Sequence, residues 1–392
     1  MNPNILILLV YLSIVLPLGI IIYARLVRPL GMRLVWRLVW GGLLLFLIVF
    51  SFSSRLLTSV FDNDPFWTAL PYYLMTFFIM IIVGCVLHGV VLLGVRVFRR
   101  KDDEIEEPSR REFLKKASAA TVGVAACLTP VSVVMAKEGR VVREVDLALE
   151  SFPTSLDGLR VVHLSDIHVG NTFDREDMQA LVNETNALRP DIIVITGDIV
   201  DGDVRDIGSW MEPVREFKAP HGVYFVTGNH DHMSGARAWC ALLESFGVVV
   251  LDNAHRDVTI GGTTITVAGA IDARGDRRER DWQSSPETAL AGIPSDRFKL
   301  MLVHQPASIE RSLESGADLV LAGHTHGGQF WPLCYLIDAM YVYARGLYRV
   351  GRKAVYVSCG TGYWGPPVRI GVPPEIAVIT LCHAESGGDS ES

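Results

Sequence analysis

Five clusters of side chains that carry carboxylate, amide or imidazole groups follow one another between Val162 and His326, and each cluster closes an apolar run. In chain order they are Asp166-Ile167-His168, Gly197-Asp198, Gly228-Asn229-His230-Asp231, His304 and Gly323-His324-Thr325-His326. Divalent cations prefer such oxygen and nitrogen ligands. Two cations that share one carboxylate can make water nucleophilic at neutral pH and bind a phosphoryl group. The types and order of these residues therefore predict a two-metal hydrolytic site.

The order of the clusters resembles that of the calcineurin-like metallophosphoesterases, whose pattern is DxH, GD, GNH(D/E), H and GHxH. All five blocks are present, and the resemblance extends over about residues 158–381. It implies an α/β fold, a two-sheet α/β-β-α sandwich with the metal ions at one end. It also implies an enzyme that hydrolyses phosphomonoester or phosphodiester bonds.

The resemblance further implies which residues would hold two divalent metal ions. The first ion would be held by Asp166, His168, Asp198 and His326, and the second by Asp198, Asn229, His304 and His324. Asp198 would bridge the ions, because one carboxylate can span two cations about 3.5–4 Å apart. The absence of a thiolate from this set favours Mn, Fe, Zn or Mg and leaves the choice among these metals open.

His230 has no metal to bind in this assignment. We expect it to act as a general acid towards the leaving oxygen, or to donate a hydrogen bond to a non-bridging phosphate oxygen. Asp231 would orient His230 and stabilise its charged form. The alternative for Asp231 is that its carboxylate caps the helix that follows.

Short runs of Val, Ile and Leu precede the clusters, as is typical of strands that are covered on both faces. We predict strands over residues 141–147, 159–164, 192–196, 223–227, 248–251, 263–268, 300–303, 319–321, 354–358 and 376–381. Helical patterns cover residues 175–188, 206–217, 234–246 and 307–315. The clusters directly follow five of the strands. Since sites in layered α/β folds form outside the carboxyl ends of strands, this placement predicts one shared site.

The charged residues divide the chain into two parts. Residues 1–138 hold 14 Lys and Arg against 9 Asp and Glu, whereas residues 139–392 hold 22 against 34. An acidic C-terminal part argues against nucleic acid as a partner and suits a domain that takes up cations. We assign residues 1–138 to a membrane region, residues 139–384 to the phosphoesterase domain, and the polar residues 385–392 to a disordered tail.

Four apolar stretches in the N-terminal part are long enough to cross a bilayer, which needs about 20 residues. They cover residues 5–23, 35–52, 69–95 and 117–136, so an α-helical membrane region precedes the sandwich. Lys and Arg dominate the first and third loops between these stretches, and such loops remain in the cytoplasm. We therefore expect a multi-pass protein of the bacterial cytoplasmic membrane. Its catalytic domain would lie on the extracytoplasmic, periplasmic side.

Residues 109–115 read Ser-Arg-Arg-Glu-Phe-Leu-Lys and resemble the bacterial twin-arginine export signal, S-R-R-x-F-L-K. An Ala-rich, weakly apolar stretch follows, as such signals require. The resemblance implies that the twin-arginine export machinery is a partner and inserts the last span. The motif departs from such signals in lying far from the N-terminus. The alternative is that Arg110 and Arg111 are ordinary positively charged anchors of that span.

Together these patterns predict a membrane-anchored, binuclear metal-dependent phosphoesterase. A site tethered to the bilayer favours a lipid or lipid-linked phosphate ester as the substrate. Two alternatives stay open. The chain could be a metal-binding sensor or scaffold without turnover, or an enzyme whose domain faces the cytoplasm.

Overall fold

Two six-stranded β-sheets form the C-terminal part of the chain. The computed structural model describes residues 17–28, 32–51, 65–98, 107–273 and 282–384. The strands are β1 (Val141–Leu149), β2 (Leu159–Leu164), β3 (Ile192–Thr196), β4 (Val223–Val226), β5 (Val249–Val250), β6 (Ala254–Ile260), β7 (Thr263–Gly269), β8 (Lys299–Leu302), β9 (Leu319–Ala322), β10 (Gly346–Val350), β11 (Lys353–Val357) and β12 (Glu375–His383). The sheet orders are β1-β12-β2-β3-β4-β5 and β10-β11-β9-β8-β7-β6.

Parallel pairing dominates the centre of both sheets. In the first sheet only the pair of β12 with β2 is antiparallel. In the second sheet the antiparallel pairs are at the edges, β10 with β11 and β6 with β7. The strands that precede the predicted ligands, β2, β3 and β4 in the first sheet and β8 and β9 in the second, therefore run in the same direction within each sheet.

The helices occur in an N-terminal group and in the connections between strands. They are α1 (Leu34–Ser51), α2 (Pro65–Phe98), α3 (Glu107–Glu138), α4 (Arg175–Ala187), α5 (Val204–Ile207), α6 (Asn229–Met233), α7 (Ala236–Ser245), α8 (Pro286–Leu290), α9 (Ile309–Glu314) and α10 (Leu333–Met340). The chain separates into two compact units. The first comprises the residues up to Val134 together with Gly365–Val368, and the second comprises the rest.

Both faces of the central strands are buried, which confirms the predicted α/β sandwich. Along β3, Ile192 and Val194 face a core that is shared by the two sheets, whereas Ile193 and Ile195 pack on the opposite face with α4 and α7. The strands β8 and β9 alternate in the same way, and α9 covers their outer face. Full burial of each such side chain contributes about 1.5–3 kcal/mol, so this alternation holds the layers together.

Two helical stretches of the described residues are long and apolar enough to cross a membrane, Trp67–Val91 and Lys115–Glu138. The apolar helices Pro17–Val27 and Leu34–Phe50 are shorter. The two long stretches coincide with the third and fourth predicted spans. Most of the first predicted span and the predicted disordered tail, residues 385–392, lie outside the described residues. The number of four spans therefore stays a prediction.

Several elements differ from those predicted. The helix expected over residues 206–217 is the short α5 followed by a 3₁₀-helix, Gly208–Glu216, because Pro213 cannot donate an α-helical hydrogen bond. Neither β10 nor α10 is predicted from the sequence. The strand β10 is only partly buried, and α10 carries apolar residues on nearly every side, so neither element shows the periodicity of a half-buried strand or helix.

Candidate metal centre

The five clusters lie at the carboxyl ends of neighbouring parallel strands. Asp166 follows β2, Asp198 follows β3 and Asn229 follows β4, and these three strands pair in parallel. His304 and His324 follow β8 and β9, which pair in parallel in the second sheet. Because the carboxyl ends of parallel neighbours meet at one edge of a sheet, residues far apart along the chain meet at one site.

The turns that carry these residues have an unusual backbone conformation. Positive φ occurs at Asp166 (53°), His168 (56°), Asp198 (51°), His324 (72°) and His326 (50°). Only three other non-glycine residues of the described chain share it. Such conformations cost on the order of 1–3 kcal/mol each and cluster at functional sites, where the surrounding structure enforces them. The strain therefore marks this site as functional independently of residue type.

Two glycines allow these turns to approach one another closely. A Cβ atom on Gly323 would overlap Ser165 Oγ and Asp166 Oδ2, and a Cβ atom on Gly228 would overlap Asp198 Oδ1. No side chain can be accommodated at either glycine without moving a carboxylate. These glycines, which precede Asn229 and His324, thus permit the close contact that a shared metal site requires.

The first group of possible ligands consists of Asp166, His168 and His326. Nε2 of His326 lies 3.4 Å from Asp166 Oδ1 and 3.1 Å from Nε2 of His168. Nδ1 of His168 donates a hydrogen bond to Asp201 Oδ2 at 3.0 Å, so Nε2 is the nitrogen directed at the group. Metal-binding histidines typically donate a hydrogen bond to a carboxylate in this way, from the ring nitrogen that faces away from the metal.

The second group consists of Asp198, His304 and His324. Nδ1 of His304 donates to the carbonyl oxygen of Thr196 at 2.7 Å, so the lone pair of the neutral ring is on Nε2. That Nε2 is buried without a hydrogen-bond partner in the described part of the chain and lies 3.1 Å from Asp198 Oδ2. This contact requires positive charge between the imidazole and the carboxylate, which a proton on His304 or a divalent cation supplies. The donor set therefore fits a divalent metal ion.

The structure brings six of the seven predicted ligands into these two groups. Within each group the ligand atoms lie within 4.8 Å of one another. The seventh, Asn229, is the first residue of α6, and its Oδ1 accepts a hydrogen bond from Gln305 Nε2 at 3.4 Å. A third set, His168, Asp198 and His230, links the two groups. The arrangement can hold two ions with Asp198 between them.

Asp201, and not Asp231, contacts the ring of His230. Nδ1 of His230 donates to Asp201 Oδ1 at 2.6 Å, while the other oxygen of the same carboxylate accepts from His168. The two imidazole rings lie 4.8 Å apart and nearly perpendicular. Asp201 is not among the residues predicted from the sequence. The spacing Gly197-Asp198-x-x-Asp201 is a signal that could have identified it.

Asp231 stabilises the loops behind the site instead. Its buried carboxylate accepts hydrogen bonds from four backbone N–H groups, those of Asp198 (2.9 Å), Ile199 (3.0 Å), Val200 (3.3 Å) and Gly228 (2.7 Å). The bond from Gly228 caps the start of α6, which is the alternative role considered for Asp231. The prediction that Asp231 orients His230 by direct contact is therefore corrected, because Asp201 makes that contact.

Buried carboxylates dominate the electrostatics of the site. Burial lowers the pKa of His168, but the charges of Asp201 and Asp198 outweigh burial and raise this pKa to about 9. Burial acts against the charged form of His304 as well, and Asp198 nevertheless raises the pKa of His304 well above its usual value. Burial and the charge of Asp198 raise the pKa of Asp231 to about 7. The site therefore attracts positive charge, as a cation-binding site must.

Arg369 lies fully buried behind His326 and is absent from the predicted site residues. Its Nη2 lies 3.1 Å from Nδ1 of His326 and donates to the carbonyl oxygen of Gly362 at 2.6 Å. Its Nη1 donates to the carbonyl oxygen of His326 at 3.1 Å. Burial lowers the pKa of Arg369 to about 10, so the guanidinium remains charged at neutral pH. Arg369 thus fixes the position of His326 relative to the Gly-rich loop that follows β11.

Trp364 lies beside His230 at the end of that loop. Their ring centroids are 6.1 Å apart, and Trp364 is 55% exposed. The Gln329 side chain holds the Trp364 backbone through two hydrogen bonds, of 3.0 Å to its carbonyl oxygen and 2.9 Å from its N–H. Trp364 and His230 therefore form one wall of the opening through which a substrate would reach the ligand groups.

Comparisons with known proteins agree with this site. A family profile described as "Calcineurin-like phosphoesterase" matches residues 159–328. The chain is 35% identical to a Danio rerio protein named "Transmembrane protein with metallophosphoesterase domain", over 89% of this chain and 81% of that protein. A Bos taurus protein of the same name is 32% identical over 84% and 77%. A Bacillus subtilis protein named "Uncharacterized metallophosphoesterase YkuE" is 30% identical over 71% and 99%.

Proposed function

The chain belongs to the calcineurin-like metallophosphoesterase family and is a hydrolase of phosphoric esters, and from this premise we propose that its active site is a two-metal centre on a membrane-anchored protein. The first ion would be held by Asp166, His168, Asp198 and His326, and the second by Asp198, Asn229, His304 and His324. The observation that carries the proposal is the buried contact of 3.1 Å between His304 Nε2 and Asp198 Oδ2. Two buried groups at this distance need positive charge between them, which a proton on His304 or a divalent cation supplies.

When bound, two divalent ions supply Lewis acidity towards the phosphoryl oxygens and a nucleophile from water at neutral pH. The side chains of the protein position the substrate-facing nitrogen and supply the proton. Asp201 engages Nδ1 of His230, so Nε2 of that ring is the nitrogen left to face the substrate. In its protonated form His230 would donate this proton to the leaving oxygen, and the Asp201 carboxylate stabilises that charged form. Trp364 shields this proton transfer from bulk water on one side.

The test uses the full-length protein purified with Mn²⁺, with metal content measured by mass spectrometry and turnover measured on a chromogenic monoester and diester. Wild type is expected to hold two ions per chain and to hydrolyse at least one ester. Asp198→Ala should lose metal and turnover together. His230→Ala should keep the metal and lose on the order of 10²-fold or more in kcat. Turnover that survives Asp198→Ala unchanged would exclude this site.

The same experiment separates the enzyme from a metal-binding sensor or scaffold. Asp203→Ala is the matched control, because Asp203 lies two residues after Asp201, where it caps α5 and pairs with Arg205 on the surface. It should behave like wild type in both measurements. Two bound ions with no hydrolysis across a broad panel of phosphate esters would support the sensor or scaffold.

For the substrate we propose a lipid or lipid-linked phosphate ester. Two long apolar helices and the names of the Danio rerio and Bos taurus relatives support a site that works at a membrane. Lipid extracts incubated with wild type and with His230→Ala, followed by mass spectrometry of the products, test this proposal. A lipid phosphate that disappears only with wild type would identify the substrate class. Hydrolysis restricted to water-soluble esters would contradict it.

For the location we propose a bacterial cytoplasmic membrane with the catalytic domain on the periplasmic side, reached through the twin-arginine export machinery. The motif at residues 109–115 lies within α3, directly before the long apolar stretch Lys115–Glu138. Reporter fusions to the C-terminus, active only outside the cytoplasm, test the topology. Replacing Arg110 and Arg111 by Lys keeps the charge and should abolish reporter activity. Unchanged activity would favour ordinary positively charged anchors.

A further inference from the structure

The exposed apolar side chains of the C-terminal unit are concentrated in one segment, residues 331–347. Among the described residues from 139 onwards, ten large hydrophobic side chains are exposed, and seven of them lie in this segment. They are Trp331, Leu333, Tyr335, Leu336, Met340, Val342 and Leu347, with exposed fractions from 36% to 76%. An exposed apolar surface of this kind marks an interaction site. We refer to the first six of these residues as the α10 surface.

The helix α10 at the centre of this surface buries little of itself. Cys334 is its one buried residue, although the sequence Leu-Cys-Tyr-Leu-Ile-Asp-Ala-Met is apolar at nearly every position. Asp338 is the only charged residue between Phe330 and Ala344, and its carboxylate pairs with Arg345 at 2.7 Å. The surface is therefore apolar and carries no unpaired charge. Water is a poor solvent for such a helix, and a partner that recognises it must be apolar as well.

The chemistry of the segment favours a lipid bilayer as that partner. Trp331 and Tyr335 are residue types that concentrate at membrane–water interfaces, where an apolar ring and a polar edge are both solvated. The long apolar helix α3 ends at Glu138, and β1 begins at Val141, so only two residues join the proposed span to the domain. A tether this short keeps the domain at a high local concentration near the bilayer.

We propose that the α10 surface inserts into the interfacial layer of the membrane that anchors the chain. This inference rests on the proposed membrane anchoring. Apolar faces of interfacial helices enter about 5–10 Å into the boundary between head groups and acyl chains. Exposed Leu, Met and Trp side chains on a single helix and its flanks suit that depth. The proposal assigns the surface a lipid partner and no protein partner.

The α10 surface is connected directly to the metal centre. Trp331 follows the ligand His326 by five residues, and Gln329 between them holds the backbone of Trp364. Trp364 in turn lies beside His230. Insertion of the α10 surface would therefore place the opening of the site at the level of the phosphate head groups. Phosphate esters displayed at the membrane surface would reach the site without leaving the bilayer.

The test is photocrosslinking of the full-length protein in vesicles of phosphatidylethanolamine and phosphatidylglycerol. A benzophenone amino acid replaces Met340 in one variant and Met233 in a second, because these side chains are equally exposed, at 65% and 64%. A third variant carries it at Thr259 in β6, at the opposite edge of the second sheet from β10. Lipid adducts, detected by mass spectrometry, should be on the order of tenfold more abundant at Met340 than at Thr259.

Equal lipid adducts at all three positions would overturn the proposal, because the tether alone would then explain proximity. Adducts at Met340 that join two copies of the chain, without lipid, would overturn it in favour of self-association. Adducts at Met233 as abundant as those at Met340 would also overturn it, because exposure of the side chain alone would then explain the labelling. Each variant is compared with wild type for its unfolding midpoint, so that a misfolded variant is recognised and replaced by the same label at Tyr335.

A second measurement separates this proposal from the proposed function. Leu336→Asp should leave turnover of a water-soluble chromogenic ester within about twofold of wild type and lower turnover of a vesicle-borne phosphate ester on the order of tenfold. The control Thr259→Asp should change neither. Strong lipid adducts at Met340 without hydrolysis of any ester would leave the membrane contact standing and contradict the enzyme. Equal loss on both substrates in Leu336→Asp would contradict the membrane contact.

Discussion

Asp201 contacts two histidines that have different tasks. One of its oxygens holds His168, a proposed ligand, and the other holds His230, the proposed acid. A carboxylate in this position sets which nitrogen of each ring faces the site. The position of the acid relative to the first metal ion is therefore decided by a residue that binds neither substrate nor metal. At the scale of single residues, this shared carboxylate is the central feature of the site.

Replacing Asp201 tests that arrangement. Asp201→Asn keeps the size of the side chain and removes its charge, so we expect kcat/KM to fall about 10–100-fold, the usual effect of removing the carboxylate behind a metal-binding histidine. The measurement is steady-state hydrolysis of a chromogenic ester, together with Mn²⁺ affinity. The control is Asp203→Asn, which should stay within about threefold of wild type. Equal activity of both variants would show that Asp201 does not position these rings.

The affinity for metal should depend on pH through His168. Its pKa of about 9 in the metal-free protein lies above neutral pH, so the ring holds a proton that an incoming ion must displace. Affinity should therefore rise with pH until the pKa is passed, by up to about tenfold per pH unit for each proton released. Calorimetric titration with Mn²⁺ in two buffers of different protonation enthalpy counts these protons. An affinity that is the same at pH 6 and pH 8 would contradict this expectation.

The ligands are positioned at the scale of elements by the turns that end β2, β3, β4, β8 and β9. Five of the proposed ligands in these turns have positive φ, and the turns after β4 and β9 contain glycines at which a Cβ atom would overlap a carboxylate. The parallel pairing of the strands sets the distance between the turns, and the buried side chains of both faces hold that pairing in place. The strain at the ligands is thus supported by the packing of the sandwich and by hydrogen bonds between the turns, such as the one from the Asp198 N–H to Asp231.

The turn after β9 is the most sensitive of these elements. Gly323→Ala would force a methyl group onto Ser165 and Asp166, so we expect a loss of stability of about 1–3 kcal/mol and a loss of metal at the first site. Chemical unfolding and metal content give the two values. Gly123→Ala is the control, because a Cβ atom at that helical position meets nothing within 4 Å. Full metal content in Gly323→Ala would mean that Asp166 is not a ligand.

At the scale of the whole molecule, the two parts of the chain have opposite charge. The net charge is +5 over residues 1–138 and −12 over residues 139–392, and three carboxylates of the second part, those of Asp166, Asp198 and Asp231, are buried at the proposed metal centre. Buried carboxylates without cations destabilise a fold. The metal ions that we propose would therefore stabilise the catalytic unit as well as supply its chemistry.

Metal should raise the thermal stability of the catalytic unit. An ion that binds only the folded state adds about 2.7 kcal/mol when its concentration is 100 times its dissociation constant. For a unit of this size each kcal/mol raises the unfolding midpoint by about 2–4 °C. Differential scanning calorimetry with and without excess Mn²⁺ measures this shift. In Asp198→Ala the shift should vanish, and the same shift in that variant would place the stabilising ions elsewhere.

The sequence by itself determined the strands and the ligand turns, because both depend on local patterns. The strands predicted over residues 159–164 and 192–196 have the same limits in the structure, since runs of buried aliphatic residues bounded by polar clusters have one stable conformation. The order of the clusters was sufficient to place them at one edge of the sandwich. Family membership and the α/β fold could therefore be predicted from the chain alone.

Only the tertiary structure decided which side chains meet. Asp231 adjoins His230 in the sequence, yet its carboxylate turns towards four backbone N–H groups, whereas Asp201, 29 residues away, contacts the ring. Arg369 reaches His326 across 43 residues in the same way. Likewise, the sequence of α10 looks like a buried segment, and only the fold leaves it exposed. The direction of a side chain depends on the packing of elements that are distant in the chain, and no local pattern records it.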